Sequence, residues 1–175
     1  LFNLVEPTRA YFGQKDAQQV LVIKKMAADL NMNLEVIACP TVREEDGLAM
    51  SSRNVYLSPE ERRSALVLSR ALFAARDLWL AGDRDGKILR RVMRQMIESV
   101  PGAQIDYVSV ADVETMAELD RVDTAALASL AVRIGRTRLI DNVILSAEHS
   151  ARNLEPTKGG QPVIGEDLQL RVAGY

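Results

Sequence analysis

Short apolar runs alternate with one helical stretch over the first third of the chain, the pattern of an α/β unit. Ala10-Tyr11-Phe12 reads as the end of a strand, which Gly13 breaks. Asp16 and Gln19 then have the spacing of a helix-starting capping box, and Val20, Ile23, Lys24 and Ala27 continue at helical intervals. The pattern predicts a helix that runs to about Leu30. Asn31 and Asn33 mark a turn, Leu34 to Cys39 reads as a buried strand, and Pro40 ends it because proline has no N–H to give to a ladder. Strand, helix and strand in this order predict parallel pairing through a right-handed crossover.

A polar loop follows, Arg43-Glu44-Glu45-Asp46-Gly47 and then Met50-Ser51-Ser52-Arg53-Asn54. Ser58-Pro59-Glu60-Glu61 is a helix start with a serine cap, proline at the first helical position and a glutamate to close a capping box. One helix is predicted from there to Ala81, with a stop at Gly82, and a second from Asp85 to Ser99. In the second, Ile88, Leu89, Val92, Met93, Met96, Ile97 and Val100 share an apolar face, and Arg90, Arg91 and Arg94 read as its solvated side. Ile105 to Val110, Ala126 to Ile134 and Arg138 to Leu145 read as three strands of a small antiparallel sheet. These elements predict an α/β segment over residues 1–57 and a small α+β domain over 58–145, with the boundary near residues 54–58. Residues 146–175 lose the pattern and read as an irregular tail.

Composition narrows the possibilities only a little. The 175 residues are 47% hydrophobic, and the formal charge of −2 comes from 22 basic and 24 acidic side chains. That balance predicts a folded globular chain and, with no basic stripe, no nucleic-acid partner. The one cysteine, Cys39, lies in an apolar run and predicts a reduced, buried thiol. No apolar run approaches the roughly 20 residues that span a bilayer, so a membrane is not expected and the chain reads as cytoplasmic. Leu1-Phe2-Asn3-Leu4-Val5 carries no initiator methionine and reads as the middle of a domain.

Two stretches could carry chemistry. Gly13-Gln14-Lys15-Asp16 follows a strand and opens a helix, where free N–H groups and the positive helix end favour a phosphate, and Lys15 adds a full charge. The same residues also fit an ordinary capped turn with a solvated lysine, and Gln19 fits a cap closure as well as a ligand contact. Met50-Ser51-Ser52-Arg53 offers two hydroxyls and a guanidinium able to grip phosphate oxygens, or simply a polar surface loop. His149 reads as a surface histidine, Met93 and Met96 as core, and Trp79 as an anchor of the small domain.

Four longer stretches carry a resemblance: Arg9 to Gln19, Pro40 to Glu44, Asp46 to Leu57 and Thr137 to Asn142. Through them the segment from Leu1 to about Leu145 closely resembles the C-terminal half of pantoate:beta-alanine ligases, or pantothenate synthetases. The resemblance implies an incomplete Rossmann-like nucleotidyltransferase segment followed by a small C-terminal domain, a homodimer, and ATP with Mg2+ used to join pantoate to beta-alanine through a pantoyl-adenylate. By the same resemblance Gly13, Gln14, Lys15 and Asp16 meet the ribose and phosphates of ATP, and Val42 turns its backbone to the adenine. Met50, Ser51, Ser52 and Arg53 form the second ATP-binding stretch, similar to the lysine-serine loop of class I aminoacyl-tRNA synthetases. Lys15, Arg53, Ser51 and Ser52 are then the catalytic group, and Gln19 orients pantoate. No metal ligand is expected from the protein, because magnesium accompanies the triphosphate.

The family's His-x-Gly-His stretch would lie upstream of Leu1, so the chain by itself is expected to be inactive. One alternative is a non-catalytic fragment that only dimerises or regulates. A nucleotidyltransferase with another acyl acceptor fits less well, since a changed substrate should have altered Gln19.

Overall fold

Strands β1 (Arg9–Gly13) and β2 (Glu35–Cys39) pair in parallel, with Arg9 opposite Glu35 and Gly13 opposite Cys39. The computed structural model describes residues 1–146; His149 and the tail lie outside that range. Within it the chain divides at Pro40 and Thr41 into two packing units.

In the first unit a short helix α1 (Phe2–Val5) precedes β1, and its Phe2 ring meets Phe12 edge-on at 6.4 Å. A single 3-10 turn, Gln14–Asp16, leads into α2 (Ala17–Asp29), which returns the chain to β2. The parallel pairing agrees with the expectation from sequence. The capping box does not form, because the Asp16 side chain makes no cap hydrogen bond. Val20, Ala27 and Ala38 are the buried apolar residues described in this unit, while Tyr11, Val22 and Leu30 stand exposed. Cys39 is half-buried, less enclosed than its apolar run implied.

The second unit has a core of its own. Strands β3 (Ala103–Asp112), β4 (Ala126–Ile134) and β5 (Thr137–Leu145) form an antiparallel sheet in the order β3-β4-β5. Helices α3 (Pro59–Ala65), α4 (Val67–Leu80) and α5 (Gly86–Glu98) complete it. Leu68, Leu72, Leu89, Met93 and Ile97 from the helices bury against Val110, Leu130, Val132 and Leu145 of the sheet. Alternation along β4 puts Ala126, Ala128, Leu130 and Val132 on that face, as a period of two requires. Trp79 is buried there and donates its Nε1–H to the Val122 carbonyl at 3.1 Å, the anchoring role read from sequence.

Two further expectations need correction. The single helix from Ser58 to Ala81 is two, since the run breaks at Leu66, whose carbonyl also accepts the Ser69 hydroxyl at 3.2 Å. Serine back-bonding of this kind bends helices. Arg90 is not solvated: its side chain is largely buried and donates to the Leu119 carbonyl at 2.7 Å and to Glu118 at 2.9 Å, while Arg91 and Arg94 do lie exposed. Packing divides the chain after Pro40, and the loop from Thr41 onward is fastened to the small sheet. Leu48 of that loop sits in the core cluster.

Candidate functional site

In the first unit, β1 delivers Gly13 to the start of α2, and Gln14, Lys15 and Asp16 occupy the turn between them. Lys15 is drawn in, with its side chain 17% exposed and its Nζ 3.9 Å from Asp16 Oδ2. Gln19 stands exposed in the first turn of α2, and Asp16 makes no cap bond for it to reciprocate. Gly13 has an ordinary extended backbone (φ −72°), and a Cβ there would meet nothing within 4 Å. Neither backbone conformation nor packing among the described residues therefore calls for glycine at this position.

In the second unit, the loop from Val42 to Met50 closes on itself. The Val42 carbonyl accepts from the Met50 N–H at 2.9 Å, Leu48 accepts from Glu44 N–H at 2.8 Å, and Glu44 accepts from Gly47 N–H at 2.9 Å. Gly47 adopts φ +91°, a left-handed conformation that costs a side-chain-bearing residue. It serves a tight, bonded turn. The Val42–Met50 bond brings two of the sequence-derived positions side by side. Ser51 then caps the 3-10 helix Ser52–Tyr56 by accepting the Arg53 N–H at 3.3 Å, which leaves Ser52 and Arg53 exposed.

The loop's acids are pinned as well. One Arg62 nitrogen donates to Glu44 at 2.6 Å and to Asp46 at 2.7 Å. Asn54 is buried and donates to Glu44 at 2.7 Å and to the Ala49 carbonyl at 3.1 Å. The Arg62 and Asn54 bonds hold the Glu44 carboxyl below its usual range. The Leu48 N–H is the largest cause of the same shift at Asp46, with Arg62 adding to it. Arg43 reaches Asp141 on β5 with both terminal guanidinium nitrogens, at 2.7 and 2.9 Å. These supporting residues escaped the reading of the sequence, although Arg43, Glu44 and Asp141 all lie in the stretches that carried the resemblance.

A rigid loop that presents Ser52 and Arg53 to solvent is suited to hold anionic oxygens. Comparison with known proteins shows what the two segments belong to. The family model for pantoate-beta-alanine ligase matches residues 1–144. The chain belongs to the pantoate-beta-alanine ligase family. It is 63% identical over 147 residues to the pantothenate synthetase of Roseiflexus castenholzii, covering 84% of this chain and 53% of that protein. With the pantothenate synthetase of Acetivibrio thermocellus the identity is 59% over 145 residues, covering 83% of this chain and 52% of that one.

Among solved structures, the pantothenate synthetase of Thermus thermophilus superposes with a TM-score of 0.79 at 46% identity, covering 83% of this chain and 52% of the other. The pantoate-beta-alanine ligase of Francisella tularensis, complexed with beta-gamma ATP and beta-alanine, superposes with a TM-score of 0.55 at 27% identity, covering 82% and 46%. The chain thus spans about half the length of the family members it matches. Family membership bears out the α/β class and the recognition made from Arg9–Gln19 and Asp46–Leu57.

Proposed function

We propose that the full-length protein carrying this segment joins pantoate to beta-alanine with ATP, and that it does so through a pantoyl-adenylate. The observation that carries this reading is the family match, which runs unbroken through both the Gly13–Gln19 and the Val42–Arg53 segments. The Francisella relative, complexed with beta-gamma ATP and beta-alanine, supports the choice of substrates. In the first step the pantoate carboxylate attacks the α-phosphorus and pyrophosphate leaves; in the second the beta-alanine amine attacks the mixed anhydride and AMP leaves. Lys15, Arg53 and the Ser51 and Ser52 hydroxyls meet the charge that grows on the departing pyrophosphate, where preorganised donors count most. The open space over Gly13 lets phosphate or ribose approach the backbone closely. Gln14 and Asp16 flank that approach, Val42 and Met50 border the adenine, and Gln19 holds pantoate.

Magnesium belongs with the triphosphate, held chiefly by phosphate oxygens and water. Among the described residues no three His, Cys, Asp or Glu side chains gather to hold a metal. No helix among them is long and apolar enough to cross a membrane, and a homodimer in the cytoplasm is the assembly and location we propose. Labelled pyrophosphate should exchange into ATP when the full-length protein is given pantoate without beta-alanine, since adenylation is reversible on its own. Exchange that waits for beta-alanine would remove the adenylate from the scheme.

A further inference from the structure

Two stretches that carry the family likeness, Pro40 to Glu44 and Thr137 to Asn142, give only Val42 to the proposed nucleotide contacts. One charged member of each meets the other instead. Arg43 and Asp141, 98 residues apart, form a two-pronged pair. The Asp141 side chain is 2% exposed and that of Arg43 18%. The same Arg43 Nη1 donates to the Gly47 carbonyl at 3.1 Å, and the guanidinium lies 4.9 Å from the centre of the Phe73 ring on α4. Asp141 Oδ1 also accepts the Asn142 N–H at 2.8 Å, which fixes the carboxylate plane. One side chain thus ties together the turn at Gly47, helix α4 and strand β5. Because the Val42–Met50 bond closes the loop, what Arg43 fixes is passed to Met50 and on to Arg53.

A buried ion pair adds little net stability, since desolvation offsets the attraction, but the planar fork dictates direction as well as distance. We propose that Arg43 and Asp141 are positioning residues for ATP: the pair sets where Val42 and Met50–Arg53 stand on the small sheet, without touching the nucleotide. This rests on the ATP reading of that loop given above, and the experiment separates the two.

In the full-length protein, Arg43→Met is combined with Asp141→Leu, so that no uncompensated charge is buried, and compared with Arg43→Lys, which keeps the charge and loses the fork. Hydrogen exchange of the Glu44, Gly47 and Met50 amides is measured beside steady-state kinetics. The double variant should melt close to the parent, exchange at the three amides at least about tenfold faster, and lose on the order of 100-fold in kcat/KM for ATP, with KM for pantoate unchanged. Arg43→Lys should fall between, and it carries the test alone if the double variant fails to fold. Unchanged exchange at the three amides overturns the positioning role whatever the kinetics show. Faster exchange with intact ATP kinetics overturns the assignment of this loop to ATP, and the proposal with it.

Discussion

Lys15, in the turn before α2, and Gln19, in its first turn, lie four residues apart, yet the proposed reaction gives them different work. In that proposal Lys15 and Arg53 meet charge that exists mainly in the transition state, so Lys15→Ala and Arg53→Ala should each cost about 2 to 4 kcal/mol in adenylation and change KM for pantoate little. The same proposal gives Gln19 a ground-state ligand to hold, so Gln19→Ala should raise KM for pantoate and spare turnover. Melting curves on the same variants decide whether Gln19 has a second, structural role. Since Asp16 makes no cap bond, Gln19→Ala should leave the melting point unchanged. A Lys15 variant with near-normal turnover would sink the main chemical role given to this segment. At this scale the family was readable where a motif was contiguous, as from Gly13 to Gln19 and from Met50 to Arg53. The sequence was silent on Arg43 and Asp141, because nothing in either stretch names a partner 98 residues away.

Elements whose signals are local matched the sequence most closely. Ser58 and Glu61 form the capping box that their spacing announces, with Glu61 N–H to Ser58 Oγ at 3.2 Å and Ser58 N–H to Glu61 Oε2 at 2.8 Å. Strand β4 begins and ends where its apolar run does. The break at Leu66 was not readable, since the run from Ser58 to Ala81 keeps a helical period and the kink depends on how Ser69 turns its hydroxyl.

The Val42–Met50 loop is an element of this kind too, held by side chains more than by propensity, and acid should loosen it. The carboxyls of Glu44 and Asp46 are held low in the folded state, so they contribute stability above the ordinary carboxylate range and lose it as pH falls through their lowered values. Glu44→Gln should therefore melt below the parent near neutral pH, and the gap should narrow steadily below about pH 4. A gap of constant size across that window would show that Glu44 acts by shape and not by charge.

At the scale of the whole molecule, the two units differ in how much core each owns among the described residues. The second unit packs three helices on a three-stranded sheet around a continuous cluster, whereas the first has few buried apolar side chains. In this chain, amides of β4 and α4 should exchange only with global unfolding, and those of β1 and β2 at least about tenfold faster. The loop from Thr41 to Leu57 should follow the slower unit, because its Leu48 and Arg43 are bound there. Equal protection of β1 and β4 would contradict this view of the first unit. Fold class and strand pairing were readable because hydrophobic period fixes them, while the surface that the polar loop from Thr41 leans against was not.

The span between Arg43 and Asp141 also has a meaning in time. On the ribosome, the arginine emerges 98 residues ahead of the carboxylate that fixes it, an interval of about 5 to 20 s at ordinary synthesis rates. For that interval the nascent loop is open to other acidic contacts, and it takes its final geometry only when the last strand of the sheet arrives.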